Sequence, residues 1–102
     1  MNAMKVAEAI QAQLGSRAFQ MMGASNLLAV TDDGLFGLQW KIGRNSKGAT
    51  HVRVVLEVTD TYRVDTFAVR GLKQKTLSTA RMIGVEQLKR TIEEATALYL
   101  SL

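Results

Sequence analysis

The chain has 102 residues, of which 47% are hydrophobic and 22% are charged, a balance typical of one globular domain. It has no cysteine and one histidine, which excludes disulfides and thiolate chemistry and argues against a histidine-based metal site. The net charge of +4 favours anionic partners. No run of eighteen apolar residues occurs and the first helix lacks the layout of a signal peptide, so we expect a cytoplasmic protein with no membrane segment.

The first segment of the chain has the spacing of an amphipathic helix. Its large apolar residues recur every four positions, at Val6, Ile10 and Leu14. Asn2 is suited to cap the start of this helix, and Gly15 is suited to end it. We expect one more short helical turn over residues 16–22, closed by Gly23.

Alternating apolar and polar residues then predict a series of antiparallel strands. The expected order is a strand over residues 27–30, a hairpin turn at Asp32-Asp33-Gly34, a strand over 36–42, a flexible loop over 43–49 without an apolar anchor, a strand over 52–58, a turn at Thr59-Asp60-Thr61, a strand from Tyr62 onwards, and a weaker edge strand over 73–82.

The last segment returns to a helical period. One stripe is formed by Val85, Leu88, Ile92, Ala95, Tyr99 and Leu102, which predicts a helix that reaches the chain end. Two helices with one apolar stripe each can bury both stripes by packing on the same face of one sheet. The sequence therefore predicts a single α+β domain over residues 1–102. Its antiparallel sheet has four or five strands, and the N- and C-terminal helices lie on one face.

The sequence offers few groups for catalysis. His51 is the only imidazole, and no G-x-S-x-G motif accompanies it. Gly43 and Gly48 flank a loop, but no G-K-[ST] motif follows them. We interpret Asp32 and Asp33 as hairpin residues. The prediction is a protein that is not an enzyme and that uses no cofactor and no metal.

Basic side chains accumulate in the middle and later parts of the chain. The stretch VRVVLEVTDTYRVDTFAVRGLKQKT, residues 52–76, ends in a basic rim at Arg70, Lys73 and Lys75. From strand parity and loop position, the candidates for contact with nucleic acid are Lys41, Arg44, Lys47, Arg53, Arg63, Lys73 and Lys75. The alternative is that these charges are only the solvated face of a small sheet.

Three apolar residues fall on the strand positions expected to point away from the helices, namely Val55, Phe67 and Val69. Either a bulge near Thr66 changes the register, or the outer face carries an apolar patch that another protein covers. In the second case, Val55, Arg63, Phe67 and Val69 would bind a host protein, and the chain would be an inhibitor or adaptor such as a counter-defence (anti-CRISPR-like) protein. A homodimer through the same patch is a third alternative. Gly37, within a strand, predicts a bulge or close packing of a helix.

Several short motifs together resemble a group of small uncharacterised proteins encoded by bacteriophages, prophages and plasmids. The matching pieces are Gln13-Leu14-Gly15, Met22-Gly23-Ala24, Arg53-Val54, Asp60-Thr61-Tyr62, Arg70-Gly71, Lys73, and Ala95-Thr96 through Leu102. The chain departs from this pattern at Ala97, where many members carry glycine. The resemblance implies a mobile-element origin and brings no established activity, so the function expected is macromolecular binding on behalf of a phage or plasmid.

Overall fold

The computed structural model describes residues 2–100 as one α+β unit. The elements in chain order are α1 (Ala3–Leu14), α2 (Ser16–Met22), β1 (Ser25–Asp32), β2 (Leu35–Lys41), β3 (His51–Leu56), β4 (Tyr62–Arg70), β5 (Lys73–Ile83), a single 3-10 turn (Val85–Gln87) and α3 (Leu88–Thr96). Within the described residues, no helix is long and apolar enough to cross a membrane.

The five strands form one open antiparallel sheet in the order β1-β2-β3-β4-β5. Each strand therefore pairs with its neighbours in sequence, which is what short turns between alternating strands favour. The β1–β2 connection is a two-residue turn in which Asp33 and Gly34 both have positive φ, at 55° and 81°. This is the hairpin geometry expected from the Asp-Gly pair.

The helices cover one face of the sheet, as predicted. Asn2 caps α1, because its Oδ1 accepts a hydrogen bond of 2.9 Å from the backbone N–H of Lys5. α1 packs on β1 and β2, whereas α3 packs on β4 and β5. The core that they share includes Val6, Ile10, Leu38, Trp40, Val54, Val64, Leu88 and Ile92. This burial is the main stabilising term for so short a chain.

The C-terminal helix is shorter than predicted. It begins at Leu88, after a 3-10 turn that contains Val85, and it ends at Thr96. Ala97 adopts the left-handed conformation with φ 59°, and the Thr96 hydroxyl accepts a hydrogen bond from the Leu98 N–H. The chain therefore leaves the helix, so that Leu100 is buried while Tyr99 is 78% exposed. The predicted stripe was wrong at Tyr99 and at Val85, which is 50% exposed, and Leu102 lies outside the described residues.

Two smaller corrections concern the strands. The strand predicted over residues 52–58 ends at Leu56, and Val58 is 91% exposed in the turn that follows. Gly37 marks neither a bulge nor a helix contact. A Cβ at this position would lie 2.9 Å from the Cα of Val55, so β2 and β3 approach each other too closely for a side chain.

Candidate nucleic-acid interface

The loop between β2 and β3 is organised by the side chain of Asn45. Its Nδ2 donates hydrogen bonds to the carbonyls of Gly43 (3.0 Å) and Ala49 (2.7 Å). Its Oδ1 accepts hydrogen bonds of 3.2 Å from the backbone N–H groups of Lys47 and Ala49. Ala49 is also buried, so the loop has an apolar anchor that the sequence analysis did not expect. These contacts fix the backbone that carries Arg44 and Lys47.

The β4–β5 hairpin extends beyond the end of β3. The last β3–β4 pair joins His51 to Phe67, whereas β4 continues to Arg70, which pairs with Lys73 of β5. Thr50 ties the loop to this extension. Its backbone N–H donates to the Phe67 carbonyl (3.0 Å), and its hydroxyl accepts a hydrogen bond from the Val69 N–H (2.9 Å). The loop and the projecting hairpin therefore lie side by side.

Two adjoining clefts separate the loop from the hairpin. The first has a volume of about 330 Å³ and is lined by Lys47, Gly48, Ala68, Arg70, Lys73, Lys75 and Leu77. The second has a volume of about 260 Å³ and is lined by Lys41, Ile42, Gly43, Arg44, Asn45, Gly48, Ala49, Thr50 and Arg70. Gly48 and Arg70 line both clefts, so the two form one continuous surface.

Six cationic side chains line these clefts, and no acidic residue does. We call them the basic cluster, which consists of Lys41, Arg44, Lys47, Arg70, Lys73 and Lys75. All six are exposed. Within residues 2–100, the cations found in ion pairs are Arg63, Arg81 and Arg90, and none of these belongs to the cluster. The positive field of the cluster is therefore left for a ligand.

The structure divides the seven cations proposed from the sequence into two groups. Five of them belong to the basic cluster, namely Lys41, Arg44, Lys47, Lys73 and Lys75. Arg53 does not, because it is partly buried, donates a 3.0 Å hydrogen bond from Nε to Gln39 Oε1 and lies over the Phe67 ring, 4.8 Å from its centre. Arg63 does not either, because its guanidinium is held by the carboxylates of Asp32 and Asp65.

Arg70 was missing from the candidate set, although it was recognised as part of the basic rim. It lines both clefts and so connects the loop to the hairpin. A signal was present in the sequence, because Arg70 and Lys73 flank Gly71-Leu72, a two-residue turn that places its flanking residues opposite each other.

The residues proposed for protein binding are mostly buried. Val55 is 0% exposed and Phe67 is 2% exposed, so their expected exposure was wrong, whereas Val69 is 38% exposed at the sheet end. A register shift does occur beside Thr66, but it concerns β4 and β5 and leaves the β3–β4 register unbroken. Phe67 therefore stays on the outer face of the sheet, the side opposite the helices, where the His51 ring stacks on it at 5.1 Å.

The surroundings on the outer face of the sheet shift the pKa values of two residues, His51 and Arg63. Burial lowers the pKa of His51, and the nearby Lys41 and Arg53 charges lower it further, so the outer face favours the neutral imidazole. Burial lowers the pKa of Arg63, but the carboxylates of Asp65 and Asp32 raise it by more, and the net direction is upward. Arg63 therefore stays charged and paired.

The basic cluster can neutralise and position an anion, but its lining offers no carboxylate or imidazole for proton transfer. Within residues 2–100, no group of three or more histidine, aspartate or glutamate side chains is placed to hold a metal ion. None of the protein-family models compared with the chain matches it, and comparisons with curated proteins and with solved structures also return no match.

Proposed function

We propose that this protein binds nucleic acid through the basic cluster, with its cations on phosphates and without catalysis. The observation that carries the proposal is the convergence of six exposed cations on two adjoining clefts that no acid lines. Such a surface matches the regular negative charge of a phosphate backbone. The resemblance to proteins of phages and plasmids supports a role in the host cytoplasm on behalf of a mobile element.

The test is the salt dependence of binding. If four to six cluster cations reach phosphates of a duplex, log K should fall with log salt at a slope of about −3.5 to −5.5. Fluorescence anisotropy with single- and double-stranded DNA and RNA, at low and physiological salt, measures this slope. Absence of binding at low salt would refute the proposal.

Single substitutions separate the basic cluster from the other cations. Lys47→Ala and Arg70→Ala should each make the slope shallower by about 0.9, because each removes one phosphate contact. Arg90→Ala is the matched control, since Arg90 is exposed on α3 and lines neither cleft. Arg53→Gln should also leave the slope unchanged, because Arg53 is committed to Gln39 and Phe67. If Arg53→Gln reduced the salt slope by more than Arg70→Ala does, the interface would lie on the outer face instead.

The rival class is an inhibitor or adaptor that docks on a host protein. Its expected anchors were Val55, Arg63, Phe67 and Val69. Val55 and Phe67 are buried and Arg63 is paired, whereas Val69 is exposed. The proposal therefore favours nucleic acid. An affinity capture from host lysate, with and without nuclease, distinguishes the two, since a nuclease-resistant partner would support the rival class.

A further inference from the structure

The turn of the β4–β5 hairpin exposes a leucine, Leu72, that does not pack against the core. Gly71 has φ 62° and Leu72 follows it, between the paired residues Arg70 and Lys73. Glycine at the first position of a two-residue turn is the signature of a type II′ hairpin, and any polar residue suits the second position. Leu72 is nevertheless there, at 106% relative exposure. A large apolar side chain fully in water adds no burial energy to the fold, so Leu72 is available for contact with a ligand.

The leucine stands at the end of a projection that is surrounded by positive charge. Three residues of β4, Ala68–Arg70, extend past the last pair with β3, and the loop over residues 43–49 lies beside them, so that Ala68 is buried while Gly71-Leu72 at the turn is exposed. Arg70 and Lys73 flank the turn, and Lys75 and Lys47 follow behind it along the first cleft. The tip of the hairpin therefore carries one exposed apolar side chain, Leu72, with a cation on each side of it, Arg70 and Lys73.

The aromatic residues argue against a single-stranded ligand. Single strands are held by stacking of bases on exposed rings. Of the six aromatic residues, Trp40, Phe19, Phe67 and Tyr62 are buried, and Phe36 packs against the core. Tyr99 is exposed, but the cavity beside it is lined by Glu93 and Glu94. Within residues 2–100, no phenylalanine, tyrosine or tryptophan lines the clefts of the basic cluster.

We propose that the β4–β5 turn enters the minor groove of duplex DNA and presses Leu72 against a base step, while the basic cluster holds the flanking phosphates. Apolar wedges between flanking cations unstack base steps and bend DNA by about 20–90°. Because the minor groove is only about 6 Å wide, entry of the turn requires the groove to widen, a deformation that accompanies the bend. Leu72 has no hydrogen-bonding group to read base edges, and insertion of an apolar side chain between base steps is a mode that minor-groove binders use. This inference rests on the proposed function. It adds that the nucleic acid is duplex DNA and that the protein bends it.

The experiment compares wild type with Leu72→Ser on a short DNA duplex that carries a donor and an acceptor fluorophore at its ends. Wild type should shorten the end-to-end distance, as expected for a bend of about 20–90°. Leu72→Ser should bind with the same salt slope, because no cation is lost, but without the bend. Leu72→Met should restore the bend. Val58→Ser is the matched control, since Val58 is 91% exposed at the β3–β4 turn and lines neither cleft of the basic cluster.

The other possible results would refute either the wedge alone or the wedge together with the phosphate proposal. A bend by Leu72→Ser equal to that of wild type, no bend by wild type, or tighter binding to single strands would refute the wedge and leave the phosphate proposal standing. Absence of salt-dependent binding to every nucleic acid would refute both. Binding of wild type, but not of Leu72→Ser, to anionic phosphatidylserine vesicles in place of DNA would assign the tip to a membrane surface and refute the wedge.

Discussion

At the scale of single residues, Gly37 determines how closely β2 and β3 approach. An added Cβ would lie 2.9 Å from Val55 Cα, and the atoms in the way belong to the β3 backbone rather than to a side chain that could rotate. The contact lies within the sheet, where Gly37 pairs with Val55. The strand pair therefore requires glycine at this position for a steric reason.

Gly37→Ala should lower the free energy of unfolding by about 1–3 kcal/mol or more, as overpacking of a tight site does. Urea unfolding followed by tryptophan fluorescence measures it. Gly43→Ala is the control, because a Cβ there would meet only the Met22 carbonyl oxygen, at 3.4 Å. Equal stability of the two variants would contradict the steric argument.

Ala97 is a second residue whose backbone matters more than its side chain. It ends α3 with φ 59° and ψ 25°, in the left-handed region that favours glycine. Ala97→Gly should raise the stability by up to about 1 kcal/mol, because relief of the left-handed penalty exceeds the added freedom of the unfolded chain. Thermal unfolding tests this. Ala95→Gly, two residues earlier inside the helix, should instead lower the stability by about 1 kcal/mol.

At the scale of elements, the loop over residues 43–49 depends on one side chain. Asn45 makes four hydrogen bonds to the loop backbone, and this loop carries two cations of the basic cluster, Arg44 and Lys47. A loop with this composition would otherwise be mobile. The presentation of these charges is therefore preorganised by a neutral residue.

Asn45→Ala should cost about 1–3 kcal/mol of stability, since several loop hydrogen bonds are lost together. It should also speed amide hydrogen exchange at Lys47 and Ala49 and weaken nucleic-acid binding, although no charge changes. Ser46→Ala is the control, because Ser46 is uncharged, exposed and adjacent. If Asn45→Ala and Ser46→Ala exchange and bind alike, the loop does not depend on Asn45.

At the scale of the whole molecule, Arg63 connects two strands that are not neighbours. It lies on β4 and binds Asp32 at the end of β1, with β2 and β3 between them. Three strand spacings in a flat sheet span about 14 Å, more than these side chains can bridge when they stand perpendicular to it. We infer from this contact that the sheet curls towards its outer face, where Val55 and Phe67 are buried.

Arg63→Ala should lower the stability by about 3–5 kcal/mol, because Asp65 would remain buried without its partner. The side chains of Arg63 and Asp65 are 11% and 12% exposed. Arg81→Ala is the control, since Arg81 pairs with Glu57 at 3.2 Å but its side chain is 61% exposed, and its loss should cost less than about 1 kcal/mol. Comparable losses in chemical unfolding would show that the cross-sheet pair does not hold the curl.

The sequence by itself determined the features that depend on neighbours along the chain. The four-residue spacing from Val6 to Leu14 defines α1, strand alternation defines the inward positions of Leu38, Trp40 and Val54, and Asp33-Gly34 defines a turn. Five members of the basic cluster were also identified, because strand parity and loop position are local properties.

Only the tertiary structure decided which charges are free. Arg63 meets Asp32, which lies 31 residues earlier, and no spacing rule connects two strands that a curled sheet brings together. Arg70 lies in the same cleft as Lys41 and Arg44 because the β4–β5 hairpin extends beyond β3. The alternation of apolar and polar residues does not predict this difference in strand length. Ion pairing and burial are properties of the assembled sheet. Local periodicity therefore specified the fold, and long-range contacts specified the site.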